Sequence, residues 1–179
     1  NAEIARSFGA DLILLNGIDI FQPFVAGLDA KEDFVKELHR LVGRPIGINL
    51  EPVDSQAQMA GERLIIDEGR QASLATVQRA EELGVDFICL TGNPGTGVTN
   101  QAIIDTIRVV KENFSGLLIA GKMHASGVDE PVADLEAIAQ FIEAGVDIVL
   151  APAVGSVPGF DEQDLKQIVR LDHQKGALV

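Results

Sequence analysis

Gly84-Val85-Asp86-Phe87-Ile88-Cys89-Leu90 is the stretch that decides the fold. A glycine closes a helix-like segment, an aspartate follows two residues later, and a short apolar run begins. Glycine just past a helix end takes the left-handed conformation without Cβ strain. A run apolar on both faces is a strand buried in a parallel sheet. The same signature stands at Gly9-Ala10-Asp11-Leu12-Ile13 and Gly145-Val146-Asp147-Ile148-Val149. Gly43, Gly116 and Gly176 precede the runs Pro45–Leu50, Leu117–Ala120 and Ala177–Val179 in the same way. Successive glycines lie 34, 41, 32, 29 and 31 residues apart, the size of one β/α unit.

Working outward, the pattern predicts strands at Asp11–Asn16, Pro45–Glu51, Asp86–Thr91, Leu117–Met123 and Asp147–Ala151, and a partial one at Ala177–Val179. Helices are expected at Ala2–Phe8, Lys31–Val42, about Gln71–Leu83, Asn100–Asn113, Val132–Ala144 and Glu162–Lys175. Ile103, Ile104, Ile107 and Val110 show helical spacing, as do Leu135, Ile138, Ala139 and Ile142. Two α/β architectures accommodate this order: an eight-stranded TIM barrel, (β/α)8, and an open doubly wound parallel sheet. Polar, Gly- and Pro-rich loops follow nearly every strand, which favours the barrel over a sheet whose signature sits in its first turn. A full barrel needs about 250 residues. Residues 1–179 therefore read as a single β/α-barrel domain, incomplete at about six strands, and more chain is expected at both ends because bare sheet edges are a liability.

The formal net charge of −13 argues against nucleic acid or an anionic membrane surface as partner, since both need basic patches. No apolar run reaches membrane-spanning length and no signal peptide is visible, so a cytoplasmic location is expected. The single cysteine, Cys89, excludes an internal disulfide and reads as a small buried hydrophobe. His39 and His173 read as surface residues. No sequence pattern typical of a zinc site is present.

In both architectures ligands bind where strands end. At the first such end, Asn16 is a substrate hydrogen-bonding candidate, and Asp19 a metal ligand or an Asx turn. At the second, Asn49 and Glu51 share one strand face by the period of two. Two polar groups there are costly without a partner or a task, so Asn49 is read as substrate-binding and Glu51 as general base or Mg²⁺ ligand. The third is Thr91-Gly92-Asn93-Pro94-Gly95-Thr96-Gly97-Val98-Thr99, ahead of a helix. Its Asn93, Gly95, Thr96, Gly97 and Thr99 are expected to receive an anion such as phosphate, because glycines bring backbone N–H groups near and helix starts favour negative charge. At the fourth, Lys122 is a Schiff-base nucleophile, an anion clamp or a partner of Glu51, and His124 a general acid or base. The fifth loop, Ala151–Phe160, offers Gly155 and Ser156 as a second anion cradle.

With these residues in place, the chain resembles a bacterial family of β/α-barrel proteins labelled phosphoenolpyruvate-phosphonomutase-like. The matching stretches are Asp11–Asp19, Asn49–Val53, Leu90–Asn100, Ala120–Gly127 and Ala151–Phe160. The resemblance implies Mg²⁺ at acidic strand ends, here Asp19 and Glu51, and small α-keto or phosphonate acids as substrates. The lyase branch of that superfamily carries a Lys-Lys-Cys-Gly-His loop, whereas this chain has Gly121-Lys122-Met123-His124 with no cysteine. Three functions follow. The first is C–C or C–P bond chemistry, of lyase or mutase type, on a small phosphorylated or carboxylated metabolite. The others are a Schiff-base aldolase built on Lys122 and a non-catalytic metabolite-binding barrel. The partner in each case is a small anionic metabolite, and homo-oligomerisation is compatible with all three.

Overall fold

The computed structural model describes residues 1–29 and 32–179. Six helices alternate with five strands: α1 (Ala2–Ser7), β1 (Ile13–Leu15), α2 (Phe34–Val42), β2 (Ile46–Leu50), α3 (Leu74–Glu82), β3 (Phe87–Leu90), α4 (Asn100–Asn113), β4 (Leu117–Gly121), α5 (Leu135–Ala144), β5 (Ile148–Leu150) and α6 (Glu162–Lys175). A short 3₁₀ turn, Glu68–Arg70, precedes α3. The expected helices α4 and α6 have the expected bounds, and the strands are shorter by one or two residues at their ends. Lys31, the expected start of the second helix, lies outside the described residues, and regular helix begins at Phe34. The expected sixth strand is present as one parallel bridge, Ile148↔Leu178.

All strands are parallel and pair in the order β1-β2-β3-β4-β5. A doubly wound sheet reverses its order at a switch point, whereas an order without reversal is that of a barrel wall. Right-handed crossovers then place every helix on one face. Accordingly α1 packs on α2, and α3, α4, α5 and α6 pack in sequence.

The register sorts the strand residues into two faces. Leu14, Gly47, Phe87 and Leu117 lie side by side, and one layer up Asn49, Cys89, Ile119 and Ile148 do the same. The alternating residues Ile13, Ile46, Ile48, Leu50, Ile88, Leu90, Leu118, Ala120 and Val149 belong to the main core, together with the helix residues Phe34, Leu38, Val77, Ile103, Ile107, Ile138 and Ile168. The core is therefore the layer between sheet and helices, and the Asn49 layer faces the barrel interior.

The glycine punctuation works as expected at Gly43, Gly145 and Gly176, each a left-handed helix cap. Gly116 is the exception. Helix α4 ends on the extended residue Phe114, and Gly116 lacks a positive φ. It is demanded instead by close approach, since a Cβ there would stand 2.3 Å from the Asp86 carbonyl oxygen. The recurring aspartate also has a physical task. The Asp86 carboxylate accepts from the Ile46 amide at 2.6 Å, and that of Asp147 from the Leu118 amide at 2.8 Å. Each caps the start of the neighbouring strand. Asp86 also pairs with His39 at 2.5 Å, so His39 links α2 to the sheet rather than standing free at the surface.

Candidate functional site

Three successive strand ends bring polar side chains together. Asn49 and Glu51 are 2% and 1% exposed. The Glu51 amide donates to the Arg70 carbonyl, which ties the end of β2 to the 3₁₀ turn. The Glu51 carboxylate accepts from the Asn93 amide at 2.8 Å, from Asn93 Nδ2 at 2.7 Å and from Arg70 Nη2 at 3.2 Å. Asn93 in turn exchanges amide contacts of 3.3 and 3.4 Å with Asn16, at the end of β1. Asn49 Nδ2 donates to Asn16 Oδ1 at 3.1 Å, and in the swapped amide orientation to the carbonyls of Cys89 (2.9 Å) and Thr91 (3.3 Å). Asn16, Asn49, Glu51 and Asn93 thus form one network. Glu51 lies at its buried end, and Asn16 and Asn93 reach toward solvent.

Arg70 is the cation of this cluster, and sequence reasoning missed it. It sits in a segment with no periodicity. The usable signal was Glu51 itself, because a buried carboxylate requires a donor or a cation nearby. Arg70 Nε is buried without a partner.

The glycine-rich loop faces inward. Thr96 N–H donates to the Asn93 carbonyl, Gly97 N–H to the Ser126 carbonyl and Val98 N–H to Ser126 Oγ. Thr96 is fully buried. Thr99 caps α4 by accepting from the Ala102 amide at 3.1 Å, and its own hydroxyl donates to Asp54 at 3.3 Å. Gly95 accepts at its carbonyl from the Leu64 amide. Arg63 donates to the carbonyls of Thr96 and Ala57, bracing the 52–66 loop over this one. The anion at the start of α4 belongs to the chain itself: Glu130 Oε2 accepts from the Asn100 amide at 2.8 Å and from Lys122 Nζ at 2.6 Å. The partner of Lys122 is therefore Glu130, not Glu51.

His124 is partly exposed, with Nδ1 3.3 Å from the Ala125 carbonyl oxygen, and among the described residues it makes no hydrogen bond to the asparagine network. In the fifth loop Ser156 Oγ donates to the Ala153 carbonyl at 2.6 Å, and Gly155 N–H to that of Phe160. Asp19 Oδ1 accepts from the amides of Phe21 and Gln22 at 2.8 and 3.1 Å, an Asx turn. Among the described residues no group of three or more His, Cys, Asp or Glu could hold a metal ion. Cys89 is buried, and burial pushes its thiol up to about 12, so it is inert. A cleft of about 630 Å³ is lined by residues that include Ala57, Met59, Thr99, Val128 and Glu130, and by no member of the asparagine network.

The family model "Domain of unknown function (DUF7916)" matches residues 1–179. No curated protein is similar to the chain in sequence. Among solved structures, a candidate lyase/mutase from Burkholderia cenocepacia J2315 superposes with a TM-score of 0.60 at 18% identity, over 98% of this chain and 62% of its own. Phosphonopyruvate hydrolase in complex with oxalate and Mg²⁺ gives 0.53 at 15%, over 94% and 59%. Oxaloacetate acetylhydrolase in complex with the product oxalate gives 0.54 at 16%, over 95% and 59%. At these identities the likeness is one of fold, and this chain spans about three-fifths of the length of each.

Proposed function

We propose that this chain, which belongs to the DUF7916 family, forms the substrate-binding wall of a barrel enzyme of lyase or mutase type that acts on a small carboxylated metabolite. The observation that carries this reading is the convergence of Asn16, Asn49, Glu51 and Asn93 from three successive strand ends into one hydrogen-bonded network. Fold neighbours in complex with oxalate support the substrate class.

In this reading Asn16 and Asn93 hydrogen-bond the oxygens of the substrate's carboxylate or carbonyl. Glu51 fixes the Asn93 side chain. Its carboxylate oxygens are occupied by three donors from within the chain, so positioning suits Glu51 better than general-base work. The loop amides of Thr96, Gly97 and Val98 are spent within the chain, which favours a carboxylate over a phosphate at this site. Lys122 Nζ is held by Glu130 at 2.6 Å and is almost fully buried, which leaves a carbonyl substrate little access for Schiff-base attack. Mg²⁺ does not fit the acidic side chains as they stand. Asp19 Oδ1 is committed to its turn, Glu51 accepts three donors, and among the described residues no third acidic group joins them. No step is assigned to the ion.

Oxalate titration followed by calorimetry tests the reading. Asn93→Ala and Asn16→Ala are each expected to weaken binding at least tenfold, the loss of about one good hydrogen bond to a charged group. Unchanged affinity in both variants overturns the site. Binding without turnover of oxaloacetate or phosphonopyruvate would instead favour a metabolite-binding barrel.

A further inference from the structure

The most anomalous group in the molecule lies far from the asparagine network. Asp172 is fully buried, and neither carboxylate oxygen has a hydrogen-bond partner. It continues the apolar stripe Leu165–Ile168 of α6, at the i+7 and i+4 positions, where the helix turns to the core. Its own carbonyl accepts from the Ala177 amide at 2.9 Å, across the left-handed cap at Gly176. The next residue, Leu178, lies on the sheet: its amide donates to the Asp147 carbonyl at 3.1 Å, and its carbonyl accepts from the Val149 amide at 2.7 Å. The last turn of α6 and the sixth strand position are thus joined through Asp172.

We propose that the Asp172 carboxyl is a proton-operated latch: neutral, it lets the last turn of α6 seat and Leu178 pair with β5; ionised, it releases that unit. A buried carboxylate without a partner is expensive, and its neutral form costs much less. Burial pushes this carboxyl up to about 6, while the charge of His173 pulls the other way. The charged groups on the packed elements are engaged elsewhere. Glu143 of α5 pairs with Lys175 at 2.7 Å, and Asp147 before β5 holds Lys111 and the Leu118 amide. Glu136 is exposed in the first turn of α5, and it carries the same sign as an ionised Asp172. The sign follows. The folded value is raised, so the latch holds fully below the ordinary carboxylate range and weakens as pH rises through about 6.

Hydrogen exchange of the 179-residue chain at pH 5 and pH 7.5, corrected for intrinsic rates, reads the latch at Val149, Ala177 and Leu178. Protection is expected to fall about tenfold over that interval, the ratio set by linkage. Asp172→Asn should flatten the dependence, and Asp172→Leu, which extends the apolar stripe, should do so even if the Asn variant fails to fold. His173→Gln should leave the dependence in place, which separates the Asp172 carboxyl from the neighbouring imidazole as its source. Constant protection in the unsubstituted chain overturns the proposal whatever the variants do. So does a fall that persists in a folded Asp172 variant, or one that disappears in His173→Gln.

Discussion

Glu51 shows how far a single residue can be read. Its alternation with Asn49 at a strand end identified it as a carboxylate needing a task, and it is among the most buried charges of the described residues. Its partners were not legible. Asn93 arrives from a loop 42 residues away, and Arg70 from a turn that no periodicity announces. Lys122 reads the other way. A buried lysine at a strand end invited pairing with Glu51, but the nearer acid, Glu130 in the same loop, also satisfies the first amide of α4 and so makes two charge-assisted bonds at once. Removing the Glu51 charge tests whether the network is structural as well as functional. Glu51→Gln keeps the size but puts an amide beside Arg70 and the Asn93 donors, so the guanidinium loses its counter-charge. Urea denaturation is expected to show a loss of about 2 kcal/mol, less than for breaking a fully buried pair because Arg70 retains 24% side-chain exposure. A variant as stable as the parent would mean that Glu51 contributes nothing to the fold.

At the scale of elements, helix bounds were the most legible because α4 and α6 carry long apolar periodicities and polar N-caps, Thr99 and Asp161. Strand ends were less so, because a polar residue just past the last ladder pair looks the same as one inside it. The loops were legible only in part. Glycines at the end of β3 resemble an anion cradle in sequence, and what the sequence does not announce is the 52–66 loop packed across them, through Asp54 N–H to the Gly97 carbonyl and Leu64 N–H to that of Gly95. The β4–β5 junction is the tightest example of a strand end set by backbone approach. Gly121 has a φ of +153, and a Cβ there would meet the Leu150 carbonyl oxygen at 2.1 Å. That obstacle is backbone and cannot swing aside as a side chain could. Gly121→Ala is therefore expected to cost about 3 kcal/mol or more, through both strain and separation of the two strands. The thermal midpoint of the variant, set beside that of Gly155→Ala, reads the difference. Gly155 shares a positive φ but has open space around it, so it reports conformational strain alone. Equal losses at the two positions would dismiss the close approach as the cause.

For the whole molecule, the repeated glycine–aspartate junctions settled the class of fold because each marks the same event, a chain leaving a helix and entering a parallel strand. They could not show which face of the sheet the helices would leave open, since every strand reads as apolar throughout. With all helices on one side, the interior face has only its own side chains to cover it. Phe87 lies over Gly47 and stays buried. Leu14 and Leu117, in the same layer, are 43% and 47% exposed, and Leu178 beside β5 is 60% exposed. Parallel sheets are stable when both faces are covered. In a chain of net charge −13, charge repulsion opposes self-association through an apolar interior face, and salt screens that repulsion. The 179-residue chain is therefore expected to bind a hydrophobic reporter dye on this face in the native state, and to associate as ionic strength rises. Leu14→Asn combined with Leu117→Asn should cut native-state dye binding several-fold while the urea midpoint stays close to that of the parent, since neither side chain belongs to the helix-side core. Dye binding unchanged by the pair would place the exposed apolar surface elsewhere, with Phe8 and Phe24, at 89% and 79% exposure, as the alternative. A large loss of stability would mean that the interior face is part of the core after all.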